Sequence, residues 1–130
     1  MLMASKYPKE YIASRRLRIA EAVAAYKARP AADDGFESVF FDNMLLVLEL
    51  SFVHRGRGME GKDGNPLNEV RVIAESLLQH DGVMTPEKTI KLAPEKSVLK
   101  IPFGEQIKLT EADFACLNEA FFAQIEQKFV

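Results

Sequence analysis

Residues 36–53, FESVFFDNMLLVLELSFV, constrain this chain more than any other stretch. Twelve of the eighteen are apolar. At 100° per residue they take up nearly the whole circumference of a helix, interrupted only by a narrow stripe of Ser38, Asp42 and Glu49. A helix that apolar needs neighbours on most of its sides. Asp42, Asn43 and Glu49 fall in mid-segment, where a bilayer core would make them costly. The segment therefore reads as the central helix of a soluble domain and not as a membrane span. Leu46 and Leu48 are both expected to be buried in it. Asp42 and Glu49 lie two turns apart, about 10 Å along the axis, each expecting a cross-helix cation such as Arg16 or Arg71.

The 130 residues suit one domain spanning 1–130, long enough to bury a core without a metal or disulfide staple. A single cysteine, Cys116, excludes an intrachain disulfide. With no apolar leader at the N-terminus, the expected compartment is the cytoplasm. Cys116 falls within the last predicted helix, as an inert packed thiol. The net charge of −2 is unevenly spread: residues 6–29 hold seven basic and two acidic side chains. A basic first helix on an acidic body either marks an anionic partner, nucleic acid included, or simply lies against that body.

Four helices and a β segment follow from the patterning. The first helix spans about residues 8–28. It has one apolar stripe of Ile12, Ile19, Val23 and Tyr26, and a flatter one of Ala13, Leu17, Ala20 and Ala24 that could pack internally or against a second subunit. Pro30 stops it, and Asp33 or Asp34 caps the central helix, which is expected to end near residues 55–58. After the loop MEGKDGN, Asn65-Pro66 is an N-cap followed by proline at the first helical position. The third helix presents Leu67, Val70, Ile73, Ala74, Leu77 and Leu78 on one face and Asn68, Arg71, Glu75 and Gln79 on the other. TIKL, SVLKI and QIKL then alternate as short strands, predicting an antiparallel hairpin or three-stranded meander with Lys91, Lys100 and Lys108 facing water. Thr110 and Asp113 open the last helix in a near capping box, with Phe114, Leu117, Phe121, Ile125 and Phe129 buried on the central helix. The fold class is thus mainly α, an α+β four-helix bundle-like domain.

Polar residues concentrate between His54 and Arg71, where one helix ends and the next begins. His54, Arg55, Arg57, Lys62, Asn65, Asn68 and Arg71 form the candidate binding set. An anion at the start of the third helix would meet free N–H groups and the positive dipole end, with Arg55, Arg57 and Lys62 closing round it. The same residues could equally form a solvated connection held by local salt bridges to Glu60, Asp63 or Glu69. GKDGN has neither phosphate-loop nor EF-hand spacing. The two histidines and one cysteine lack metal-ligand spacing, so no metal or cofactor is expected. A His54–Asn43 pair at the edge of the core is a further candidate.

The run FVHRGRGMEGKDGNPLNEVR, with KSVLKI and LTEADF downstream, resembles a small bacterial family of unknown function over about residues 36–130, a resemblance that implies no activity. The chain is also similar, more faintly, to helical nuclease and nucleotidyltransferase-partner domains of the HEPN type. Those set an arginine four to six residues before a histidine; here Arg71 and His80 have eight residues between them. Two functional expectations result. One is a non-enzymatic binding protein with an anion-accepting interhelical loop and a homodimeric tendency. The other is a nucleic-acid-processing domain in which arginine and histidine share a cleft.

Overall fold

The computed structural model describes residues 3–30 and 35–130. Its helices are α1 (Lys9–Ala28), α2 (Phe36–Ser51), α3 (Arg57–Glu60), α4 (Pro66–Gln79) and α5 (Glu111–Lys128). The central position of α2 is as the sequence predicts: α4 and α5 pack on it and on each other, and α1 closes a further side. Phe41, Leu45, Leu48 and Phe52 carry its inward face and are almost wholly buried. Phe52 sits among the rings of Tyr7, Tyr11, Phe121 and Phe122. The α5 stripe is buried throughout, joined by Phe122. Among the described residues, no helix is long and apolar enough to cross a membrane.

The helix starts follow their local signals. Asn65 accepts hydrogen bonds from the N–H groups of Leu67 and Asn68, ahead of Pro66. Thr110 and Asp113 complete a capping box on α5. The expected caps at Asp33 and Asp34 lie outside the described residues. The second α1 stripe faces outward, with Leu17 59% exposed. The basic charge of α1 lies partly against the acidic body: Arg16 pairs with Glu119 and Glu126, and Lys27 with Glu111 at 3.0 Å.

The expected β hairpin or meander does not form. Among the described residues there are no strands, only two isolated bridges, Ala4 to Arg55 and Val83 to Gln106. Ile90, Ile107 and Leu109 do turn inward, whereas Val98 and Phe103 are exposed, and Lys91, Lys100 and Lys108 stay in water. The backbone finds side-chain partners in place of a neighbouring strand. The Glu69 carboxylate accepts from the N–H groups of Val98 and Leu99, both at 2.9 Å. Asp42 accepts from Leu109 N–H at 3.0 Å. Period-two alternation reports which side chains are buried; it does not report what satisfies the backbone.

Three smaller expectations also fail. The central helix ends at Ser51, earlier than residues 55–58, and the following loop winds a fifth, four-residue helix, α3. Cys116 is exposed, not packed. The central helix is not covered all round. Val39, Val47 and Leu50 are 54%, 45% and 70% exposed, Leu78 of α4 is 69% exposed, and Leu46 is only half-buried.

Candidate functional site

The chain between α2 and α4 is built around Arg55. Once α2 ends, three turn residues bring Arg55 back beneath the helix, where it is 2% exposed. Gly56 and Ala4 fix the backbone there: Gly56 N–H donates to Ala4 carbonyl and Ala4 N–H to His54 carbonyl, both at 2.7 Å. The guanidinium then has no water to turn to, and every contact is internal. Nη1 donates to Phe52 carbonyl at 3.0 Å. Nη2 donates to Glu49 Oε1 at 2.8 Å and to Leu67 carbonyl at 3.1 Å. Nε lies 3.1 Å from Glu60 Oε1, and the ring of Phe121 is 5.3 Å from the guanidinium carbon.

Glu60 is the second centre and is fully buried. It comes from the last position of α3, so the unexpected short helix is what aims it inward. Arg71 Nη2 donates to its Oε1 at 2.5 Å, and Asn68 Nδ2 to its Oε2 at 2.8 Å. Glu49 completes the group, its Oε2 3.8 Å from Arg71 Nη1. Two cations and two carboxylates therefore share one buried network of zero net formal charge. Burial alone would raise the carboxyl of Glu60. The Arg71 hydrogen bond, the two guanidinium charges and the Asn68 bond outweigh it and hold Glu60 below the ordinary carboxylate range. Glu49 shifts the other way, because burial outweighs its bond to Arg55. Arg71 is raised further: burial opposes its charge, but the Glu60 hydrogen bond and the charges of Glu49 and Glu60 prevail.

The expected anion-binding residues thus divide. Arg55, Asn68 and Arg71 come together, but around Glu60 and not around an open space. Asn68 is wholly buried, its Oδ1 accepting from Gly64 N–H at 2.9 Å. Asn65 caps α4 and donates to Glu60 carbonyl at 2.7 Å. Pro66 has no N–H, and those of Leu67 and Asn68 are already bonded to Asn65. The terminus that was to meet an anion is therefore satisfied from within. His54 and Lys62 are exposed, and Arg57 reaches away from the group, to Thr89 at 3.5 Å. His54 and Asn43 form no pair: His54 lies beyond the helix end, and Asn43 donates to Val39 carbonyl at 2.7 Å. Of the expected partners for Glu49, Arg71 is present, while Arg16 lies across the molecule against α5. Sequence reading missed Glu49 and Glu60 as the hub. The signal available was two carboxylates flanking Arg55 at −6 and +5 in a segment otherwise rich in arginine and glycine.

One edge of the network reaches the surface. Glu49, Arg71 and Glu75 line a cleft of about 430 Å³ between α2 and α4, together with Leu46, Leu50, Val53, Ala74 and Leu78. The Glu49 and Arg71 side chains there are 12% and 11% exposed. Apolar walls over a few convergent polar groups are the usual make-up of a binding cleft. No family model, no curated protein and no solved structure matches this chain.

Proposed function

We propose that this protein is a small non-enzymatic interaction module whose docking surface is the outward face of α2 together with the α2–α4 cleft. The observation that carries this reading is the exposure of Val39, Val47 and Leu50 on the side of α2 opposite its buried face, with Leu78 of α4 beside them. Soluble monomers seldom leave a contiguous apolar surface of that kind without a use for it. The buried network beneath supports the reading in a second way: Glu60, Arg55 and Asn68 hold one another, so the ends of α2 and α4 are rigidly spaced and the face is pre-shaped. The nucleic-acid-processing alternative draws no support from the geometry. His54 and His80 are both exposed, Arg55 is enclosed, and nine helical steps carry His80 about 13 Å along the axis from Arg71.

Carbene footprinting tests the reading whatever the occupant is. Labelling of 39–53 should fall, relative to the rest of the surface, when dilute purified protein is compared with concentrated protein or with the protein added to a cell extract. Equal labelling under all three conditions would remove the α2 face as a docking surface.

A further inference from the structure

With the α2 face read as a docking surface, on which this proposal rests, we infer that the occupant is a second copy of this chain, the two α2 helices packing against each other about Asn43. Val39, Asn43, Leu46 and Leu50 are spaced by four, three and four residues, and Val53 follows in the turn past the helix end. That is the repeat of a two-helix seam. At 100° per residue the four helical positions fall within about 60° of arc, on the side of the helix away from Phe41, Leu45 and Leu48. None of them is charged.

Asn43 is what selects the occupant. It is exposed in the middle of this apolar row. One amide N–H goes to Val39 carbonyl, leaving the second N–H and the carbonyl oxygen uncommitted among the described residues. An amide is donor and acceptor at once, so it is complementary to a copy of itself. An apolar partner surface would strand it. A second Asn43 across a two-fold axis satisfies both groups and sets the register, the role an isolated asparagine has in helix pairs. Two-fold pairs are also the commonest closed assembly of like chains. Leu78 on α4 widens the surface beside Leu50, giving the flank of the incoming helix a wall to lie against.

Sedimentation of the purified protein at tens of micromolar should give twice the chain mass of 14.6 kDa. Leu50→Lys should sediment as the single chain with its helical circular dichroism unchanged. Leu17→Lys, on the exposed stripe of α1, should remain paired. In a Cys116→Ser background, Asn43→Cys should form a disulfide-linked dimer under mild oxidation, and Ala24→Cys should not. A wild-type mass of one chain across the range overturns the inference. So does a dimer that survives Leu50→Lys but is lost on Leu17→Lys, which would move the contact to α1. Footprint protection of 39–53 in extract alone, with the purified chain single, also overturns it, while leaving the docking face itself in place.

Discussion

At the scale of single residues, Glu60 is the buried hub between α2 and α4. It is fully buried and accepts from Arg71 and Asn68 beside the Arg55 guanidinium. Removing one member of a buried ionic network leaves the other charges unpaired in a place that water does not reach. Glu60→Ala should therefore lose about 3–5 kcal/mol of unfolding free energy in urea melts. The pH dependence has a definite sign. The folded carboxyl of Glu60 lies below its unfolded value, so its contribution is present above the unfolded pKa and is lost as pH falls through the folded one. Glu49, raised in the folded state, acts oppositely and gains stability as pH falls through its own raised value. Denaturation midpoints measured from neutral pH down into the acid range should thus fall less steeply for Glu60→Gln than for wild type. An unchanged or steeper profile would show that Glu60 is not the group in control. Asn65 and Pro66 were legible in the sequence because a cap acts on its immediate neighbours. Arg71 as a partner for Glu49, and Glu60 as a partner for the loop arginines, were legible too; that Arg55 is enclosed between the two carboxylates was not, because that is set by how the chain turns after Phe52.

At the scale of elements, α2 carries two faces that the sequence pattern could not separate. Its apolar residues take up most of the circumference, so periodicity predicted burial all round. Burial instead follows where α1, α4 and α5 happen to lie. Leu48 is fully buried and Leu46 only half so. Leu48→Ala should cost about 2–5 kcal/mol and Leu46→Ala clearly less, as read from paired urea melts; equal losses would mean that the outer side of α2 is covered within the chain. The segment 83–109 teaches a related lesson. Ile90, Ile107 and Leu109 are inward and Val98 is not, and Glu69 and Asp42 take up backbone N–H groups that a strand would have met. Glu69→Ala should cost about 1–3 kcal/mol, and exchange protection should be lost first at Val98 and Leu99, where its carboxylate accepts. Protection kept at both amides would leave that role to some other group.

At the scale of the whole molecule, the stretch most suggestive of a site, His54 to Arg71, is the part that holds the fold together. It ties α2 to α4 through Arg55, reaches the N-terminal segment through Gly56 and Ala4, and reaches α5 where Lys128 donates to Glu60 carbonyl at 3.0 Å. The apolar surface left outside that frame is what remains for a partner. Amide hydrogen exchange of the native protein tests this division most directly. A connection that belongs to the core opens only with the core. The amides of Gly56, Glu60, Gly61 and Gly64, each donating to a carbonyl or to Asn68, should exchange as slowly as those in the middle of α4. Exchange of these four amides ahead of the helices, at the rate of a solvated loop, would contradict the account.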